Sequence, residues 1–275
     1  VVMSVNETTK KISLRRVFYA TDLSELSRPA FVHAVKLALV NKGLLTVLHA
    51  SKRKENTSWN EFPGVRETLR TWGLLPESDS QVSELHKLGI EVQKVIGTQN
   101  DPVESVVDYL KSHISDLIVL ATHQRKSDFG WSRQSIAEPI ARSYNAPALF
   151  VPNGVPGFVS ADDGSVKLSN VLIPVDSKPK AHKALDVVSK LVKSLGITDV
   201  EFTLLSVGDG EMPMLSPEEQ GPVVESILET ANSIQADLIV MPTAGHNGFM
   251  DAVRGSTTER VLRDTECPLL AVSSS

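Results

Sequence analysis

The sequence has one cysteine, Cys267, in 275 residues. That excludes an intrachain disulfide framework and points to a reducing compartment. No apolar run approaches the ~20 residues a membrane-spanning helix needs. Residues 1–11 are polar and carry no apolar signal-peptide core, so the expected location is cytoplasmic, with no membrane partner. Positive charge is not in excess. Lys and Arg number 28 against 33 Asp and Glu, a net charge of −5, which argues against a general nucleic-acid binder. Marked catalytic patterns are missing too: no Walker A sequence, no GxGxxG after a strand, no zinc spacing and no Ser-His-Asp order. His123 and His246 have no Cys, Asp or second His at ligand spacing, so no metal ligand is assigned. No catalytic residue can be named, and turnover of a substrate is left open.

What the chain does have is a repeat. Asp116-Leu117-Ile118-Val119-Leu120 returns as Asp237-Leu238-Ile239-Val240-Met241, 121 residues later. Ser135 and Glu138 fall on Ser256 and Glu259 at the same offset, and Pro147 falls on Pro268. The chain is long enough for two domains, and 41% hydrophobic with 22% charged residues is ordinary globular composition. The halves differ in charge. Through Pro152 there are 19 basic and 16 acidic residues, against 9 and 17 thereafter. This is drift between copies or tuning of one half for an acidic ligand.

Apolar runs alternate with helical periodicity, which predicts parallel sheets built by right-handed crossovers. In copy one, strands are expected at 16–20, 44–50, 90–96, 116–122 and 148–151. Helices are expected from a Ser24 or Ser27 cap to about Leu39, at 80–88, at 102–114 and at 135–144. Residues 51–73 read as a surface excursion that Trp59, Phe62 and Trp72 pin down, or that offers them to a ligand or partner. Residues 153–169, rich in Gly, Pro, Ser and Asp, read as the linker between domains at 12–152 and 170–273. The pattern restarts with a strand at 170–176, a helix at 181–195 stopped by Gly196 and a strand at 201–207. Leu48 and Leu205 are 157 residues apart, yet Asp116 and Asp237 only 121, so copy two has lost 36 residues between strands two and four. It should lack one strand and the helix before it.

An Asp closing the first strand, Asp-Leu-Ile-Val before a glycine loop, Gly-Ser opening a late helix and Cys-Pro before the last strand together resemble the universal stress protein family. The resemblance covers nearly all of 15–272 and suggests a tandem member. It implies an α/β fold, with each domain an open parallel sheet of order 3-2-1-4-5 between helices. It also implies the nucleotide signature of ATP-binding members, Gly-x2-Gly-x9-Gly-(Ser/Thr). The physics of that signature is independent of the family. Glycines let backbone approach a phosphate, and a helix N-terminus holds it with free N–H groups and the macrodipole.

Copy two keeps most of the signature. Gly245 and Gly255 have nine residues between them, Ser256 follows, and Pro242 stands at the first glycine position. The corresponding residues of copy one are Ala121, Gln124, Gln134 and Ser135, with no glycine left. By resemblance, Asp176 and Val207 would meet the nucleoside. Gly245, Gly255, Ser256 and Thr257 would meet the phosphates, with Arg254 an extra cation beside them. Asp22 and Ala50 are the copy-one equivalents of Asp176 and Val207; Asp22 reads mainly as a structural cap.

Three functions stay open. One is a stress or signalling module in which ATP or AMP (with Mg accompanying ATP) binds copy two as a switch or sensor. The others are an interaction scaffold that has lost nucleotide, with an unknown protein partner, and a slow ATPase. Family domains pair through their last strands, so this chain is expected to pair 148–151 against 269–272 internally, as a pseudo-dimer. The edge bared by the missing strand leaves room for a homodimer as well.

Overall fold

The computed structural model describes residues 12–50, 58–77, 82–97, 101–122, 146–175, 181–206, 220–243 and 257–273. The expected helix at 135–144 lies outside them, as do Gln124, Gln134 and most of the signature residues of copy two.

Copy one supplies β1 (Arg16–Thr21), β2 (Leu44–His49), β3 (Glu91–Ile96), β4 (Leu117–Thr122) and β5 (Ala148–Pro152). Copy two supplies β6 (Asn170–Val175), β7 (Glu201–Ser206), β8 (Leu238–Thr243) and β9 (Leu269–Ser273). Among the described residues they form one nine-stranded sheet, in the order β3-β2-β1-β4-β5-β9-β8-β6-β7. The first five strands run 3-2-1-4-5. The last four repeat that order without strand three, as the 36-residue shortfall requires. Every pairing is parallel except β5 with β9, where Leu149 stands opposite Leu270 in antiparallel register. That seam is the expected internal pairing.

The inner strands are near-continuous apolar runs because both their faces are covered, unlike the terminal strands β3 and β7. On one face lie α1 (Arg28–Val40), α2 (Val65–Thr71) and α3 (Val82–Lys87) from copy one, and α5 (His182–Ser194) from copy two. On the other lie α4 (Pro102–Ser112), α6 (Gln220–Ser233) and α7 (Thr257–Asp264). Alternation then splits each run. Leu149 and Val151 join the first core with Leu270 and Val272, while Ala148 and Phe150 join the second with Leu269 and Ala271. The two copies therefore share both cores across the seam.

Three local findings refine the reading. Neither Ser24 nor Ser27 caps α1 with its side chain. A 3-10 turn at Glu25–Ser27 runs straight into the helix, so Ser27 is already helical and its Oγ donates back to the Ser24 carbonyl. The repeated Asp before each fourth strand is a structural clamp. Asp116 Oδ2 accepts from the N–H groups of Arg15 and Arg16, and Asp237 Oδ2 from those of Ser169 and Asn170. Each carboxylate thus fixes the start of the neighbouring first strand.

The linker, finally, is a built strap rather than a loose tether. Phe158, Val159 and Leu168 are buried, and Val159 bridges Val166. His33 Nδ1 donates to the Pro29 carbonyl at 2.6 Å, leaving Nε2 to accept from the Phe158 and Val159 N–H groups. Trp72 Nε1 donates to the Ala161 carbonyl, and its indole fills the space a side chain at Gly164 would need. Trp72 and Phe62 do pin the excursion; Trp59 stacks on Phe62 but stays 54% exposed.

Candidate functional site

In an open parallel sheet, ligands bind at the carboxyl ends of the strands, where the strand order reverses. This sheet has two such points, between β1 and β4 and between β6 and β8. In copy two the described strands stop beside the sequence-derived residues. β6 ends at Val175, one residue before Asp176, and β7 ends at Ser206, one before Val207. β8 ends at Thr243, two before Gly245. Helix α7 begins at Thr257, directly after Ser256, with Thr257 partly buried. Parallel pairing sets Val175 level with Ser206. Asp176, Val207, Gly245, Arg254, Gly255 and Ser256 themselves lie outside the described residues.

The two switch points are built differently. In copy one, β1 and β4 pair at four positions, from Val17–Leu117 to Ala20–Leu120. In copy two, β6 and β8 pair at only two, Val171–Leu238 and Leu172–Ile239. Prolines account for the difference. Asp237 N–H donates to the Asn170 carbonyl, so by alternation Asn170, Leu172 and Pro174 turn their backbone polar groups toward β8. Ile239 N–H donates to the Pro268 carbonyl, away from β6, so Val240 and Pro242 turn theirs toward β6. Each strand thus places a residue without an N–H at the carboxyl-terminal half of the shared ladder, and the ladder stops. Pro242 therefore sits inside β8, where the donor it lacks would have faced β6. Pro174 was legible as a proline within an apolar strand run, but its partnership with Pro242 needs the register.

The matching end of copy one is closely packed on its β1 and β2 side. Asp22 Oδ1 accepts from the Ser24 N–H at 3.0 Å, an Asx turn that ends before the 3-10 turn begins rather than the helix cap expected of it. Thr21 Oγ1 accepts from the Leu23 N–H in the same turn, and Leu23 holds φ 63°, a costly angle for a branched side chain. His49 Nδ1 donates to the Thr21 carbonyl and ties β2 to β1. Ala50 is buried. A side chain at Gly97 would meet Ser105 of α4 at 2.7 Å and Ala50 at 3.1 Å, so the helix start packs directly on the strand ends. Two buried hydroxyls here, Ser24 Oγ and Thr122 Oγ1, have no hydrogen-bond partner among the described residues. His49 was not marked by its spacing, since a lone His on a strand carries no pattern.

No group of three or more His, Cys, Asp or Glu side chains stands at metal-binding distance among the described residues. Cys267 is partly buried, and burial pushes its thiol up to about 11, so it is not a poised thiolate. No described helix is long and apolar enough to cross a membrane.

Comparison with known proteins agrees with this architecture. The universal stress protein family matches residues 13–152 and 216–273. A universal stress protein of Methanocaldococcus jannaschii is 28% identical over 148 residues, 53% of this chain and 76% of that protein. The crystal structure of a universal stress protein from Archaeoglobus fulgidus aligns with TM-score 0.55 at 17% identity, over 96% of this chain and 98% of that one. A putative universal stress protein from Pseudomonas aeruginosa aligns with TM-score 0.54 at 16% identity, over 94% and 93%. These two structures cover both halves at once and share the fold. With family segments in both halves and the strand order repeated, the chain belongs to the universal stress protein family.

Proposed function

We propose that the protein is a cytoplasmic stress or signalling module whose second domain, 170–273, binds an adenine nucleotide as a switch or sensor, while the first, 12–152, is a structural partner. The observation that carries this is the shortened ladder between β6 and β8. Pro174 and Pro242 remove two backbone donors at the one switch point whose flanking sequence keeps Gly-x9-Gly-Ser. In this reading Asp176 and Val207 hold the nucleoside. Gly245, Gly255, Ser256 and Thr257 hold the phosphates, with Arg254 adding charge and Mg accompanying ATP on its phosphates.

Titration calorimetry with ATP and AMP on the intact chain is the test. Binding is expected, with Gly255→Trp lowering affinity at least 100-fold and Asp176→Ala about tenfold at unchanged melting temperature. No binding by the intact chain overturns the reading. A second reading, a scaffold without nucleotide, is favoured by the exposed apolar face of β7. Protein purified without bound nucleotide, and silent in calorimetry, would establish it over the first.

A further inference from the structure

The deletion in copy two does more than remove a strand. In copy one, Leu45 and Val47 of β2 are fully buried, in one core with Phe62, Val65, Leu69, Trp72 and Leu85 of the excursion and α3. Copy two is 36 residues shorter over that interval, and no counterpart of the excursion or of α3 lies among its described residues. The residues of β7 that stand level with Leu45 and Val47 are Phe202 and Leu204, and they are 39% and 57% exposed. Among the described residues β7 is also the last strand of the sheet, and one edge of its backbone has no ladder partner there. The other terminal strand, β3, carries Lys94 at its middle, a residue type that discourages edge pairing. From Phe202 to Ser206, β7 carries no charge and no proline.

We propose that β7 is the surface through which two copies of this chain associate, by antiparallel pairing across a two-fold axis. The sequence of β7 is self-complementary in that arrangement. With Thr203 opposite its own copy, Phe202 stands opposite the partner's Leu204, and Leu204 opposite the partner's Phe202. All four side chains share one face. Charge does not oppose the pairing at ordinary ionic strength. The two Glu201 residues fall roughly 13 Å apart along the strands, beyond the Debye length of about 8 Å. The chain already joins two sheet edges this way at the seam of β5 and β9. The area sets the strength. The exposed parts of Phe202 and Leu204 offer roughly 200 Å² of apolar surface per protomer, well under the ~800 Å² per partner of a standard stable interface. The dimer is therefore weak and concentration-dependent.

Sedimentation equilibrium of the full chain from 1 to 300 µM tests this. A reversible monomer–dimer equilibrium is expected, and Leu204→Lys should weaken it at least tenfold while leaving the thermal melt unchanged. In a Cys267→Ser background, Thr203→Cys should form a disulfide-linked dimer under mild oxidation, because opposed Cα atoms lie about 4.5–5.5 Å apart; Glu201→Cys should not. A monomer across the whole range overturns the proposal, including the case in which residues 207–219 of the same chain cover β7. So do a dimer indifferent to Leu204→Lys and open-ended oligomers built from β7 against β3. Nucleotide titration is independent of all three outcomes.

Discussion

The two halves of this chain are one fold finished in two ways. Among its described residues copy one has five strands, a ladder that runs four positions between its central strands, and strand ends packed around Asp22, His49, Ala50 and Ser105. Among its described residues copy two is more open: four strands, a ladder of two positions halted by Pro174 and Pro242, and an exposed outer strand. Duplication lets one copy carry the packing while the other gives packing up. The shared cores across β5 and β9 make that arrangement workable, because copy two completes its interior with residues of copy one. A part that is poorly covered alone is stable when its core is borrowed.

The comparison breaks most sharply at matched positions of β2 and β7. Leu45→Ala empties a fully buried site and should cost about 3 kcal/mol, the transfer loss plus a cavity under the excursion. Leu204→Ala, on the strand that lacks this cover, should cost under about 0.5 kcal/mol. Urea unfolding below 1 µM, where association does not contribute, measures both. Similar costs at the two sites would mean that Leu204 is covered in solution.

Much of this was legible in the sequence because it depends on periodicity and spacing. The shift of offset from 157 to 121 located a missing strand, and the register confirms where. The last-strand pairing followed from having two such domains in one chain. What was not legible depends on long-range geometry. Nothing in the composition of 153–169 distinguishes a tether from a strap. The distinction lies in His33, 125 residues before Phe158, and in Trp72, 89 before Ala161. The two prolines are visible in the sequence, but only the hydrogen-bond alternation shows that both face the same ladder. Of the candidate site, only Thr257 lies within the described residues. Its reading still rests on spacing and on where β6, β7, β8 and α7 end.

Acid should sharpen the difference between the copies. Burial holds the His33 imidazole down from 6.5 to about 4, and its Nε2 accepts two backbone N–H groups that a proton there would displace. The matching residue of copy two is Val187, which is buried and does not titrate. The folded pKa is depressed, so the unfolded chain takes up the proton first. Stability is whole above pH 6.5, falls as pH drops from 6.5 toward 4, and is flat below, for a loss of about 3 kcal/mol. His33→Gln should be less stable at neutral pH and should lack this slope. Chemical denaturation at several pH values gives the difference curve, and a parallel slope in the variant would assign the acid sensitivity elsewhere.

The smallest effect concerns the one device both copies kept. Asp237 holds its neighbours with two backbone N–H groups, from Ser169 at 2.7 Å and Asn170 at 2.9 Å. Asp116 makes the same pair of bonds to Arg15 and Arg16, and adds Ser13 Oγ at 2.8 Å and the Arg16 guanidinium at 2.6 Å. Burial pushes the Asp116 carboxyl up, but the bonds from Arg16 and Ser13 outweigh it and hold it below the usual range. Its stabilisation is therefore present above the normal carboxylate pKa and fades as pH falls through the lowered one. The backbone bonds are charge-assisted and common to both copies, so Asp237→Ala should cost about 1.5 kcal/mol. The extra arm of Asp116 reaches an Arg16 side chain that is 46% exposed, where solvent screens the pair. Asp116→Ala should then exceed Asp237→Ala by less than about 1 kcal/mol, and the excess should vanish in 1 M salt. An excess that survives salt would move the added stability from the ion pair to the Ser13 bond, which Ser13→Ala isolates.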